Sequence, residues 1–193
     1  MHITSLSASP SEQSRSTWLT RFALTRLEGR GAQHDEILIR TLPPAALLQA
    51  DVQDPAIRAA VQAVEQADLV VIGTPIYKAA YSGLLKVFLD LLPPDALRGK
   101  LVLPLATGGS PAHFLALDYA LKPVLSALGA RHVLDGVFAT DAQLRRVDTS
   151  GHASRFIPEP DLIARLDRAL SPLTEPTERM RPLRPTAEPA LSC

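Results

Sequence analysis

The stretch Ala67-Asp68-Leu69-Val70-Val71-Ile72-Gly73-Thr74-Pro75-Ile76-Tyr77-Lys78-Ala79-Ala80-Tyr81-Ser82-Gly83-Leu84-Leu85-Lys86 decides the fold. Its first part, ending at Gly73, is a short unbroken apolar run, the pattern of a strand buried on both faces of a parallel sheet. From Gly83 to Leu92 the apolar residues take helical spacing, and Ser82 is placed to cap that helix through its hydroxyl. Between the two, Pro75 stiffens the turn, and Tyr77 and Tyr81 offer flat faces. Residues just past the carboxyl end of such a strand line the crevice where open α/β sheets bind ligands. This loop's composition points to a planar ligand.

The same alternation extends in both directions. Residues 2–7 read as a strand, and Ser14 to Leu27 as a helix with Trp18, Leu19, Phe22, Ala23 and Leu27 at helical spacing. A strand is expected at His34 to Ile39. Asp54 to Ala67 opens with Asp-Pro, a cap followed by proline at the first helical position. Beyond the opening stretch come a strand at Lys100 to Ala106, a long helix at Pro111 to Leu128, a strand at His132 to Phe138 and a last helix at Pro160 to Leu170. Strands alternating with helices predict a three-layer α/β sandwich: a five-stranded parallel sheet in the flavodoxin-like order 2-1-3-4-5, with helices on both faces. In that order the crevice is formed by Ala8 to Ser14, Thr74 to Ser82 and Thr107 to Ser110. The domain is expected over residues 1–170. From Ser171 to Cys193, prolines 172, 176, 182, 185 and 189 among scattered charges predict a mobile, Pro-rich tail.

Lys plus Arg and Asp plus Glu number 20 each, so overall charge gives no reason to expect a nucleic-acid or membrane partner. The only cysteine is Cys193, which excludes an intrachain disulfide framework and a cysteine-based metal site and makes a reducing cytoplasm the expected setting. The N-terminus lacks the basic and apolar regions of a signal peptide, and no apolar run approaches the roughly 20 residues that span a bilayer.

The first loop, Ser9-Pro10-Ser11-Glu12-Gln13-Ser14-Arg15-Ser16, offers hydroxyls, a guanidinium and the N–H groups of a helix N-terminus, which suit a phosphate monoester. Ser14 or Ser16 equally suits a simple helix cap. Neither a dinucleotide fingerprint nor a Walker lysine motif is present. In the third loop, Gly108 and Gly109 let the backbone approach a ligand closely, Thr107 and Ser110 add polar contacts, and His113 follows in the next helical turn. A phosphate grip, a tyrosine-bearing loop and a close glycine approach together describe a mononucleotide with a flat ring, and FMN fits.

These residues carry a specific resemblance. Ala8-Ser9-Pro10 followed by Ser14-Arg15-Ser16 resembles the phosphate loop of the NADPH-dependent FMN reductase family. Thr74 to Gly83 looks like that family's flavin-ring loop. Leu103 to Gly109, His113 and Asp118-Tyr119-Ala120-Leu121-Lys122-Pro123-Val124-Leu125 are similar to the branch serving two-component alkanesulfonate monooxygenase systems. The chain departs at Ser11, where an arginine commonly stands, and Glu12 adds a negative charge beside it.

The resemblance implies FMN and NADPH as cofactors and hydride transfer to flavin N5, with no obligatory catalytic side chain and with assistance from the Tyr77-Lys78 region. Ser9, Ser14, Arg15 and Ser16 would hold the phosphate. Pro75, Ile76, Tyr77 and Lys78 would lie against the isoalloxazine, with Thr107, Gly108, Gly109 and His113 bordering it. Tyr119 would mark a π-type insertion at a homotetramer interface, and reduced FMN would go to a partner monooxygenase. Two other readings share the fold: an NAD(P)H quinone or azo reductase with fixed FMN, and a flavodoxin-type electron carrier, for which a neutral chain is a poor match.

Overall fold

The computed structural model describes residues 1–27, 32–147 and 155–174. Strand β1 (His2–Ser7) leads into α1 (Arg15–Thr25), and β2 (Gln33–Leu38) is followed by the short α2 (Pro44–Leu48) and by α3 (Pro55–Gln66). Next come β3 (Leu69–Tyr77), β4 (Ala80–Tyr81), α4 (Gly83–Leu89) and β5 (Leu101–Gly108). The remaining elements are α5 (Lys122–Ala127), β6 (His132–Val133), β7 (Val137–Thr140), β8 (Leu144–Val147), β9 (Arg155–Pro158) and α6 (Pro160–Thr174). The main sheet runs β2-β1-β3-β5-β6, all parallel, with β7 continuing the outer position beside β5. This is the flavodoxin-like 2-1-3-4-5 arrangement with its fifth strand in two pieces.

The apolar run of β3 is continuous because both its faces are covered. Leu69 and Val71 join Leu19, Leu24, Leu103, Leu162 and Leu166 in the layer under α1 and α6. Val70 and Ile72 face the other way, into the layer of Ile57, Val64, Leu85, Phe88 and Leu125. The period-2 alternation of a strand thus feeds two cores. Side-chain caps start three of the helices: Ser14 accepts from the Thr17 N–H, Asp54 from those of Ala56 and Ile57, and Ser82 from that of Leu85.

Several expectations need correction. Strand β3 does not stop at Gly73; it runs to Tyr77 and keeps its register with β5 as far as Pro75↔Thr107. Gly-Thr-Pro reads as a turn in sequence, but β1 pairs with β3 only up to Ser7↔Gly73. Beyond that point the β1 ladder no longer asks for the N–H that Pro75 lacks. The expected loop is instead a hairpin, with Ile76↔Tyr81 and Tyr77↔Ala80 paired antiparallel.

The helix expected over Pro111 to Leu128 is broken into a 3₁₀ turn at Pro111–His113, a π-helical segment at Leu117–Leu121, and α5. In the π segment the Lys122 N–H reaches back five residues to the Leu117 carbonyl. The fifth strand is interrupted at residues 134–136, where a Cβ on Gly136 would sit 2.8 Å from the Leu117 side chain. Helix α6 continues to Thr174, past the boundary expected at 170. Pro172 leaves the Arg168 carbonyl without its helical donor, and the Ser171 hydroxyl takes that place at 2.9 Å. The rest of the expected tail, 175–193, lies outside the described residues. Sequence reading also missed α2 and the antiparallel β8–β9 hairpin. Among the described residues, no helix is long and apolar enough to cross a membrane.

Candidate flavin site

The carboxyl ends of β1, β3 and β5 lie side by side, which brings the three predicted loops to one edge of the sheet. Hydrogen bonds lock them together. The Ala8 N–H donates to the Gly73 carbonyl at 2.8 Å, and the Ser82 hydroxyl donates to the Ala8 carbonyl at 2.7 Å. The Thr74 hydroxyl accepts from the Ser82 N–H at 3.0 Å. Thr107 stands opposite Pro75 in the β3–β5 ladder, so the second and third loops share a register.

In the first loop, Ser9, Ser14 and Ser16 are all buried, and Ser14 and Ser16 exchange a hydrogen bond at 3.0 Å. Ser9 accepts from the Ser11 N–H at 3.2 Å, closing a tight turn where the chain departs from the family pattern. Thr17, in the first turn of α1, is buried with no hydrogen-bond partner for its hydroxyl. A buried orphan hydroxyl costs free energy unless something completes it. It stands beside Ser14 and the α1 N-terminus, and sequence reading passed over it because a threonine there looks like ordinary helix filling.

Arg15 sits differently from expectation. Its Nε donates to the Leu144 carbonyl at 3.1 Å, and Nη1 lies 3.5 Å from Asp141 Oδ2. The guanidinium also stands over the Phe156 ring, 5.7 Å from its centroid. The cation predicted for the phosphate is therefore engaged by the β7–β8 turn and the hairpin behind it, neither of which was visible in sequence.

The β3–β4 hairpin turns through Lys78 and Ala79 with φ of 50° and 63°. Two consecutive positive φ values mark the tight hairpin turn that glycine and asparagine favour. Held by ordinary side chains, each costs about 1–2 kcal/mol, the kind of local strain that collects at ligand-contacting segments. Ile76 is buried beneath the turn, whereas Tyr77 is 51% exposed at its rim. Tyr81 is half-buried, and that burial pushes its phenol upward from the usual tyrosine range.

In the third loop a Cβ on Gly108 would meet the Phe138 ring at 3.0 Å and Ile76 Cβ at 3.5 Å, so glycine permits this close layering. Gly109 lies on the open side and borders a cleft of about 620 Å³ lined also by Pro111, Phe114, Leu117, Phe138 and Arg165. His113 is half-buried on the 3₁₀ turn that Ser110 caps. Tyr119 falls inside the π-helical segment at 79% exposure, beside Phe114 and Leu115, which are 54% and 43% exposed. Among the described residues, no cluster of three or more His, Cys, Asp or Glu is placed to hold a metal ion.

Comparison with known proteins agrees with this geometry. Residues 1–144 match the family described as NADPH-dependent FMN reductase. The chain is 48% identical over 170 residues to a protein of Escherichia coli named FMN reductase (NADPH), covering 88% of this chain and 86% of that one. A Pseudomonas putida protein of the same name is 49% identical over 144 residues, covering 75% of this chain and 73% of its own length. The crystal structure of an apo NADH:FMN oxidoreductase (EMOB) superposes with a TM-score of 0.80 at 40% identity, over 94% of this chain and 93% of that one. With the family match spanning most of the sheet and all three loops, the chain belongs to the NADPH-dependent FMN reductase family.

Proposed function

We propose that the protein reduces FMN with NADPH and hands the reduced flavin to a partner monooxygenase, in alkanesulfonate assimilation in a reducing cytoplasm. The observation that carries the FMN reading is the mutual locking of the three loops, above all Ser82 to Ala8 and Pro75 to Thr107. The residues present fit the group. Buried Ser9, Ser14 and Ser16 and the orphan Thr17 hydroxyl gather at the N-terminus of α1, where unpaired N–H groups favour an anion. Gly108 packs tightly on Phe138 and Ile76, and Gly109 beside it has open space where a Cβ would stand, which leaves room for a flat ring.

When bound, FMN supplies the electron chemistry, accepting a hydride at N5 from the nicotinamide. The chain's own work is alignment. Ser9, Ser14 and Ser16, with Arg15 if it leaves Asp141, would hold the phosphate. Pro75, Ile76, Tyr77 and Lys78 would support one side of the ring, and Thr107, Gly108, Gly109 and His113 would border the other. The positive-φ turn at Lys78 and Ala79 would offer its backbone N–H groups to the ring without needing a side-chain acid or base. The sulfonate role rests on the Leu103 to Leu125 stretch that resembles that branch. The exposed Tyr119, Phe114 and Leu115 support a homotetramer interface.

The test is NADPH oxidation by flavin-stripped protein with FMN titrated in. Saturable turnover of FMN well beyond the protein's molar amount is the expected result. A quinone that sustains turnover where FMN does not would replace this reading with a fixed-flavin reductase.

A further inference from the structure

The cleft that opens beside Gly109 lies where two elements are broken. The segment from Pro111 to Asp118 contributes Phe114 and Leu117 to it, and the interrupted fifth strand contributes Gly136 and Phe138. Thr140 and Gln143 of the β7–β8 turn and Arg165 of α6 add polar groups. Its volume of about 620 Å³ falls within the roughly 300–1,000 Å³ of pockets that take small molecules. On this side Gly109 has open space where a Cβ would stand, so the cleft continues directly from the third loop of the flavin site.

The chemistry of the lining selects its occupant. Only two of its residues are charged, Asp118 and Arg165. Asp118 is paired with Lys122, and Arg165 Nε donates to Asp161 at 3.0 Å while Nη1 donates to the Phe138 carbonyl at 2.8 Å. A lining whose charges are already compensated offers a phosphate no spare cation. It suits a neutral, flat group that forms hydrogen bonds. Phe114, 54% exposed, presents a ring on which such a group can stack. Gln143 is oriented for the edge of that group. Its Oε1 accepts from the Thr140 N–H at 3.1 Å, whereas its Nε2 has a single long contact, 3.5 Å to Asp161, for two N–H donors.

We propose that this cleft holds the adenine ring of the nicotinamide dinucleotide, stacked on Phe114 and accepting a hydrogen bond from Gln143. The nicotinamide end then lies over the flavin on the near side of Gly109. The inference rests on the FMN reductase reading above. Its consequence is that the chain binds the dinucleotide through its adenosine half, and that this cleft does not distinguish NADPH from NADH.

The experiment measures steady-state kinetics on the full chain at saturating FMN with three hydride donors: NADPH, NADH and reduced nicotinamide mononucleotide, which lacks the adenosine. Phe114→Leu removes the stacking face and keeps an apolar side chain, and Ala142→Trp crowds the cleft from the exposed turn that lines it. In both variants KM for NADPH and for NADH rises by the same factor, about ten-fold, the scale of a lost base–aromatic stack, while kcat holds. KM for the mononucleotide stays at its wild-type value. An unchanged dinucleotide KM in either variant, or an equal rise for the mononucleotide, overturns the assignment. A rise for NADPH without one for NADH also overturns it, because the cleft would then read the 2′-phosphate. A wild-type chain that turns over no NADPH with FMN overturns the reductase reading itself, a result distinguishable from the others.

Discussion

The Ser82 hydroxyl donates to the Ala8 carbonyl at 2.7 Å across 74 residues of sequence, and the same oxygen accepts from the Leu85 N–H at 3.2 Å. One buried side chain thus caps α4 and pins the loop after β1 to the hairpin after β3. Together with the Ala8 N–H to Gly73 carbonyl bond, this oxygen sets the loop after β1 against the hairpin after β3.

Ser82→Ala removes the cap and strands the buried Ala8 carbonyl at once. The expected cost is about 1–3 kcal/mol of stability, since a lost cap and an unsatisfied buried acceptor each lie in that range. Urea unfolding reads the stability, and a flavin titration reads the splaying of the two loops as weaker FMN binding. Full stability in the variant would show that water replaces the hydroxyl and that the tie is dispensable.

Gly73 allows α1 to lie close on β3. A Cβ there would stand 1.9 Å from Thr20 Oγ1 and 3.1 Å from the Ser16 carbonyl. Thr20 Oγ1 also donates to that carbonyl at 2.9 Å, so displacing it disturbs the first turn of α1. Gly73→Ala is expected to cost about 1–3 kcal/mol, the range for overpacking a filled core, and to weaken FMN through Ser16. Adding Thr20→Ala clears the nearest atom and should restore part of the stability. No rescue in the double variant, followed by thermal unfolding, would mean that the clash lies with the backbone instead.

How far these features could be read beforehand differs by element. The β3 strand was legible because Leu69 to Ile72 feed two cores at once, and a continuous apolar run has few other uses. The Ser14, Asp54 and Ser82 caps were legible because capping is local chemistry. Pro75 within β3 was not, since its tolerance depends on β1 ending at Ser7, a fact of pairing rather than of local sequence. Arg15 is assigned to the phosphate from its neighbours in sequence, whereas its partners are Asp141 of the β7–β8 turn and Leu144 of a hairpin whose charged strands carry no apolar alternation. The orphan Thr17 hydroxyl belongs to the same class, because only packing reveals that it is buried without a partner.

Burial raises the Tyr81 phenol pKa above its ordinary 10.0, with Lys86 opposing and Asp90 adding to the shift. The folded state therefore disfavours the phenolate, and the unfolded chain ionises first. The stability this provides is present in full below pH 10 and is lost as pH rises through the folded-state value. Tyr81→Phe should accordingly show a shallower alkaline decline in unfolding free energy than wild type, with the missing phenolate absorbance developing above pH 10. Parallel declines in the two proteins would assign the alkaline loss to other groups.

Tyr119 projects from the π-helical segment at 79% exposure, with Phe114 and Leu115 close by in sequence and also exposed. Neighbouring exposed apolar side chains of this kind make a candidate interaction surface. The π-helical span carries Tyr119 on its exposed side, and Lys122 pairs with Asp118 across the segment. Tyr119→Ala should leave the fold intact, because an exposed side chain contributes little to a monomer, and should lower the order of assembly seen by sedimentation velocity. The thermal midpoint should then become less dependent on protein concentration as the assembly weakens. A variant that sediments as wild type does would place the assembly surface elsewhere and leave the π segment as a local accommodation of Pro123.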